Sequence, residues 1–186
     1  MNILHVLDQE SRRIERDFRH CMSASDRGER RRLGHAWAER VAAYLLALEH
    51  ALFPALAGLD DYVLRALRDD HGELKARVAE ALLAYCGAER RAFCSLCKAY
   101  VRLRRHVWLL HRQLDPLLQR AVSPGQQALI GEDLMRWLET NRREPVVLSV
   151  ARPAGRTPAR KLPPTVDLSR IPTLFHEIPP PLPMTA

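Results

Sequence analysis

One histidine on an otherwise apolar helix face constrains this chain most. Between Leu64 and Tyr85 apolar residues recur every three or four positions, and His71 is the polar residue that stands on their stripe. This spacing predicts an amphipathic helix with one buried face, so the ring of His71 is expected in a protein core. Two interpretations stay open here. A buried histidine that shares a hydrogen bond is the more common case, and a metal ligand is the alternative.

The whole pattern predicts an all-α chain of five helices, with no convincing strand before residue 145. The first helix is expected over about residues 2–22, and the second follows a cap at Ser25 or Asp26 and is broken by Gly58. The third runs from Asp60 or Asp61 to Gly87. The fourth starts near Ala88 and continues past Leu114, and a shorter fifth begins at the signal Ser123-Pro124-Gly125-Gln126.

An internal repeat indicates how the four longer helices are arranged. Pro54 and Pro116 each follow a polar ring by ten residues and a leucine by six. Helices one and two therefore resemble helices three and four as two hairpins, and two hairpins that close face to face form an up-down four-helix bundle. We expect four residues to share one core layer, with Leu48 and Leu110 next to it: Ser11, Tyr44, His71 and His106.

The composition changes after residue 142, and the sequence predicts two domains, a helical bundle over 1–142 and a tail over 143–186. Ten of the thirteen prolines lie between Pro145 and Pro183. Such a segment cannot be helical and has little to bury, so we expect it to be extended or disordered. Its final proline run could bind an aromatic groove of a protein partner, although a solvated tail is the more common case.

Composition narrows the possible location of the protein and the kinds of ligand that it could bind. No stretch approaches the roughly 20 apolar residues of a membrane span, and the N-terminal region lacks the pattern of a secretory signal, so we expect a cytoplasmic protein. The net charge of +7 comes almost wholly from arginine. Because no aromatic stacking partners accompany these arginines, solvated helix faces are favoured over a nucleic-acid surface. Cys94 and Cys97 form a C-x-x-C inside a helix, where buried structural thiols are favoured over a zinc or redox site.

Several local strings resemble the hemerythrin-like family, the HHE cation-binding domains, over about residues 1–142. The strings lie at 7–14, 48–56, 69–75 and 106–118, one in each predicted long helix. The resemblance implies a four-helix bundle around a non-haem di-iron centre. Histidines from all four helices and two bridging carboxylates bind that centre, and each carboxylate follows a histidine by one helical turn, so both reach the same point.

Transferred to this sequence, the family's ligand set is mostly lost. His71 and His106 remain, whereas Ser11 and Tyr44 replace two histidines, and Leu48 and Leu110 replace both carboxylates. Two iron ions in a dry core need negative ligands, because an uncompensated buried charge costs several kcal/mol. The sequence therefore predicts a core closed by side chains, with His71 and His106 hydrogen-bonded to Tyr44 or Ser11.

A shift in register does not restore the site. Glu49 and His50 follow Leu48, but in a regular α-helix they lie about 100° and 200° around the axis, away from the core. Neither residue is therefore expected to reach the layer.

Two functions of different kinds follow. The leading hypothesis is a non-catalytic regulatory or interaction module that has lost the di-iron site and has no cofactor. The alternative is a sensor of iron, oxygen or nitric oxide that binds one metal ion or a haem through His71 and His106. No catalytic residues of a redox enzyme are found. Any protein partner, possible through the proline-rich tail, stays unidentified, and the oligomeric state stays open.

Overall fold

The fold is all-α throughout the part of the chain that the structure, a computed structural model, describes: residues 2–85 and 89–141. No helix in these residues is long and apolar enough to cross a lipid bilayer. The predicted tail at 143–186, the predicted helix end at Gly87, and Cys86 lie outside the described residues. The five main helices are α1 (Ile3–Ser23), α2 (Arg27–Ala47), α3 (Asp61–Ala84), α4 (Glu89–Ala121) and α5 (Pro124–Asn141).

Polar side chains fix where the helices begin. Asn2, Asp26 and Asp60 each accept a hydrogen bond from a backbone N–H in the first turn of α1, α2 and α3. At α5, the Gln126 N–H donates to Ser123 Oγ at 3.3 Å, and the Ser123 N–H donates to Gln126 Oε1 at 3.0 Å. These bonds satisfy N–H groups that have no partner inside a helix. The predicted caps at Asp26, Asp60 and Ser123 are confirmed.

The end of α2 departs from the uninterrupted α-helix that the sequence predicted. A π-helical turn spans Leu48–Leu52, and the Phe53 N–H donates to the Leu48 carbonyl, five residues back. Pro54 follows inside the short helical segment Phe53–Ala55, and a proline removes one helical N–H and crowds the preceding turn. A π turn holds one extra residue, so it changes which side chains face inward. The segment ends before Gly58, whose φ is 85°.

One apolar core joins all five helices. Neighbours in sequence pack together, α1 on α2, α2 on α3 and α3 on α4, while α5 contacts α1, α2 and the π turn. The Trp37 indole of α2 donates to the Ile14 carbonyl of α1 at 3.0 Å. The ring of Phe18 on α1 stacks on Tyr100 of α4, with centroids 3.8 Å apart. Burial of such apolar surface is the main force that holds the helices together.

Candidate polar site in the helical core

Two histidines lie side by side in this core. His71 of α3 is 3% exposed, His106 of α4 is fully buried, and their ring centroids are 5.5 Å apart. Both side chains stand among leucines on the inner faces of their helices. His71 and His106, which the sequence analysis placed in one layer, are therefore neighbours in space.

The first histidine is held by a carboxylate that the sequence analysis had excluded. His71 Nε2 lies 3.2 Å from Glu49 Oε1, and Lys75 Nζ donates to both Glu49 oxygens at 2.8 Å. The expectation that Glu49 points away from the core was wrong, since its carboxylate reaches His71 from within the π turn. The ring of Phe53 meets His71 edge-on at 5.1 Å and closes one side.

The second histidine has a carboxylate of its own. His106 Nδ1 lies 2.7 Å from Asp70 Oδ2, and Arg102 Nη2 donates to Asp70 Oδ1 at 2.6 Å. Arg102 also contacts Glu73 at 2.7 Å, which extends the network to the surface. The prediction that Tyr44 or Ser11 would satisfy the histidines was therefore wrong, since neighbouring acids bind them instead.

The charges of this network can be assigned from its contacts. The hydrogen bond with His71, opposed by burial and supported by Lys75, lowers the pKa of Glu49 to about 2. Burial works to raise the pKa of Asp70, but the hydrogen bond from His106 and the nearby arginines outweigh it and hold this pKa below its usual value. Burial lowers the pKa of His106. Both acids are therefore ionised at neutral pH, and His106 is neutral.

Each histidine consequently has one nitrogen left over. An ionised carboxylate only accepts hydrogen bonds, so His71 Nε2 and His106 Nδ1 carry the protons. His71 Nδ1 and His106 Nε2 are buried and have no hydrogen-bond partner. In a neutral imidazole the nitrogen without a proton carries a lone pair. The core thus contains, at His106 Nε2, a buried lone pair of the kind that binds metal ions.

The other two residues of the predicted layer are also unsatisfied. Tyr44 OH and Ser11 Oγ are buried and make no hydrogen bond of good geometry. Burial raises the pKa of Tyr44, and the nearby Ser11 hydroxyl opposes this rise only in part. The phenol therefore stays neutral. The structure brings Ser11 close to Tyr44 and His71 close to His106.

Leucines occupy the core at positions 48 and 110. Leu48 is fully buried and Leu110 is 1% exposed, both as part of the apolar core. In the described residues, no three histidine, cysteine or acidic side chains come together as a metal site. The interior at these two positions is hydrocarbon.

Sequence reasoning also missed a buried acid on α1. Glu10 is 2% exposed and lies 3.3 Å from Arg13 and 3.9 Å from Arg40. Its negative charge acts on Tyr44. The signal was present, because residue 10 follows Leu7 by three positions and precedes Ile14 by four, the spacing of one helix face.

The three cysteines of the described residues differ in burial. Cys94 and Cys97 lie half-buried on α4, and Cys21 is buried on α1. Burial, with a smaller effect of Cys94, raises the pKa of the Cys97 thiol to about 11. A thiol with such a pKa carries almost no thiolate at neutral pH, and the thiolate is the reactive form.

A cleft leads from the surface to the first histidine only. It has a volume of about 480 Å³ and is lined by Glu49, Phe53, Pro54, Arg68, His71 and Gly72. A side chain added at Gly72 would meet nothing within 4 Å, so this glycine leaves open space above α3. His71 therefore borders a path to solvent, whereas His106 is sealed in the core.

Comparison of the chain with protein-family models, with curated proteins and with solved structures finds no match.

Proposed function

We propose that residues 1–142 form an up-down four-helix bundle of the hemerythrin-like kind that holds no di-iron centre and acts as a non-catalytic regulatory or interaction module. The packing supports the bundle. Contacts such as Ile14 with Trp37, Glu49 with Lys75 and Asp70 with Arg102 run between consecutive long helices. The proximity of Ser11 to Tyr44 and of His71 to His106 supports the likeness to the family.

One observation carries the loss of the di-iron centre: both acids beside the histidines are already engaged. Glu49 binds His71 and Lys75, and Asp70 binds His106 and Arg102. Each carboxylate thus accepts a hydrogen bond from its histidine and also pairs with a cation. Two iron ions would need bridging negative ligands at Leu48 and Leu110, and hydrocarbon cannot supply them.

Restoring the missing ligands tests this proposal. The variant Ser11→His/Tyr44→His/Leu48→Glu/Leu110→Glu is expected to retain iron and to show a ligand-to-metal absorption band after expression with added iron. The matched control, Ser11→His/Tyr44→His, adds imidazoles without acids and is expected to stay free of a di-iron centre. If the unaltered chain already holds two irons, the proposal is wrong.

A second candidate function, a sensor that binds one metal ion, is favoured by the unpaired nitrogens. Histidines that bind metals usually donate their other N–H to a carboxylate, which fixes the ring and strengthens the ligand. His71 and His106 both have this arrangement, and His71 Nδ1 and His106 Nε2 remain available. Metal–nitrogen bonds of roughly 2.1 Å would place the two ring centroids about 5 Å apart, close to the observed 5.5 Å.

Haem fits this spacing less well than a single ion. An iron between two axial imidazoles separates the ring centroids by roughly 6 Å and requires a flat macrocycle between the rings. His71 and His106 are closer than that, inside a packed core of leucines. A single borderline cation such as Zn²⁺ or Co²⁺ is therefore the better probe.

Cobalt titration tests the second candidate. Tetrahedral Co²⁺ absorbs visible light, so binding at His71 and His106 would give a spectrum that saturates at one ion per chain. His71→Ala and His106→Ala are each expected to abolish that spectrum, whereas the exposed control His50→Ala should leave it unchanged. A spectrum that survives both core substitutions would exclude this site.

A further inference from the structure

The outer face of α4 has an unusual composition. Its exposed positions follow one another at intervals of three and four residues and form what we call the α4 outer strip: Lys98, Val101, Arg105, Trp108 and Arg112. This spacing puts them on one side of the helix, opposite the side that buries Leu103, His106 and Leu110. Val101 is 62% exposed and Trp108 is 56% exposed. The face of an amphipathic helix directed away from the core is normally polar.

The charge of the strip is all positive. No acidic residue lies on α4 between Glu89 and Asp115. The Arg112 guanidinium lies over the Trp108 ring, 5.1 Å from its centroid. Among the described residues neither Lys98 nor Arg112 has an ion-pair partner, and Arg105 has only Asp70 at 3.8 Å. An exposed tryptophan beside arginines is the composition of a binding hot spot.

The positive charge of the strip disfavours two binding partners with the same sequence, a second copy of α4 and the segment after residue 141. A second copy of α4 laid against the first would bring arginine against arginine, and like charges across an interface cost several kcal/mol. The segment after residue 141 has seven arginines and lysines against three acids, so it is positive as well. The partner that complements the strip is acidic.

A protein partner fits better than a nucleic acid. The arginines beside the strip are already neutralised, Arg102 by Asp70 and Glu73, and Arg104 by Glu15 at 3.5 Å. The unpaired positive charge is therefore one helix face wide and alternates with apolar side chains. Phosphate contacts need clustered cations, whereas a second helix needs apolar anchors at this spacing.

We propose that the α4 outer strip docks an acidic amphipathic helix of a partner protein. Val101 and Trp108 pack between apolar residues of that helix, and Lys98, Arg105 and Arg112 pair with acids on either side of them. The inference names the partner chemistry of the interaction role proposed above and rests on that role. Arg105 also lies 3.8 Å from the buried Asp70, so the substitutions below leave Arg105 in place and change only the other four side chains of the strip.

Site-specific photocrosslinking in the cells that make the protein tests this inference. A benzophenone amino acid replaces Val101 in the full chain, and matched probes replace Leu83 on α3 and Leu129 on α5, which are 73% and 64% exposed. The expected result is a protein adduct from position 101 only. Its crosslinked peptide should have acids that flank apolar residues at helical spacing.

Substitutions within the strip show whether its chemistry holds the partner. Lys98→Glu/Arg112→Glu and Trp108→Ala, each made with the probe at 101, are expected to lower the adduct yield at least tenfold. The control Arg16→Glu/Arg65→Glu makes the same change in net charge at exposed positions elsewhere and should preserve the yield. Helix content and melting temperature, measured by circular dichroism, should match across the variants.

Several results would overturn the inference. These are no adduct at 101 above that at 83 and 129, an adduct with nucleic acid, an adduct with the chain's own tail or a second copy, or a yield that survives both strip variants. Adducts from 83 or 129 alone would place the partner elsewhere and leave the interaction role standing. A di-iron centre in the unaltered chain would instead overturn the proposed function.

Discussion

The two halves of the helical core differ in how their buried polar side chains are hydrogen-bonded. The α3 and α4 half supplies two imidazoles, each bound to a carboxylate that is bound in turn to a cation. The α1 and α2 half supplies two hydroxyls, Ser11 Oγ and Tyr44 OH, which are buried without a hydrogen-bond partner. The two halves therefore differ in charge and in hydrogen bonding.

This difference separates two ways of holding a polar group in a core. A charged network is costly to break, because removing one member leaves the other charges buried without a partner. A neutral hydroxyl without a partner is a small, constant cost that its removal relieves. We therefore expect substitutions in the α3 and α4 half to lower the free energy of unfolding, and substitutions in the α1 and α2 half to change it very little.

Removal of Asp70 should have the largest effect. Asp70→Ala leaves His106 Nδ1 without its acceptor and leaves Arg102 with Glu73 alone, and we expect a loss of about 3 kcal/mol in the free energy of unfolding. The neighbouring Asp69 is exposed, so Asp69→Ala should cost less than about 0.5 kcal/mol. Urea denaturation of the two variants measures both values. Equal losses would show that the Asp70 network contributes nothing special.

Low pH should destabilise the protein through the charged network in the α3 and α4 half of the core. The pKa values of His106, Asp70 and Glu49 are all held below their usual values, so the unfolded chain binds more protons than the folded one as the pH falls. Stability should be full above about pH 6.5 and should fall through two ranges, first as His106 takes up a proton and then as the carboxylates do, down to about pH 2 for Glu49.

The variants make this pH dependence specific. Glu49→Gln should flatten the slope of unfolding free energy at the acid end, and so should Asp70→Ala. Because Asp70 raises the pKa of His106, Asp70→Ala should also extend the range in which His106 lowers stability to more acidic pH. Urea denaturation at a series of pH values measures the slopes. A wild-type stability that rises on acidification would contradict the assignment of charges.

Glu49→Gln at neutral pH should have a smaller effect than Asp70→Ala. Glu49 is 29% exposed and its partner Lys75 lies near solvent, so water replaces part of what is lost. We expect a loss of about 1 kcal/mol, which salt should reduce. Glu80→Gln, at an exposed pair with Arg77, is the control and should change the unfolding free energy by less.

Tyr44→Phe should have the smallest effect and the opposite sign. The substitution keeps the ring and removes a hydroxyl that has no partner, so we expect stability to be unchanged or to rise by up to about 1 kcal/mol. Tyr62→Phe at an 84% exposed position is the matched control. A clear loss in Tyr44→Phe alone would mean that the hydroxyl has a partner in solution, such as a bound ion or water.

Much of the fold follows from local signals. The cap residues Asp26 and Asp60 and the apolar stripes placed α1 to α5 within a few residues, because capping and periodicity act over a single turn. The stripe of α3 and the proline repeat also gave the neighbours His71 and His106. These signals need no knowledge of distant contacts.

The acids of the site were not predicted, because their positions depend on structural features that helical periodicity does not show. Glu49 lies in the π turn at Leu48–Leu52 and contacts His71, although a spacing of 100° per residue from Leu48 places it outside the apolar stripe. Asp70 lies one residue before His71 and reaches across to α4, a contact that only the packing of two helices creates. Pro54, four residues after His50, was the one local clue that the regular turn would fail.

Anaerobic titration of the metal-free full chain with ferrous iron tests the central claim most directly. After desalting and exposure to air, the iron content and the near-ultraviolet absorption of each chain are measured. We expect at most one iron per chain and no band from oxo-bridged iron, because leucines fill the bridging positions. Two irons per chain, with such a band that disappears in His71→Ala, would contradict this account.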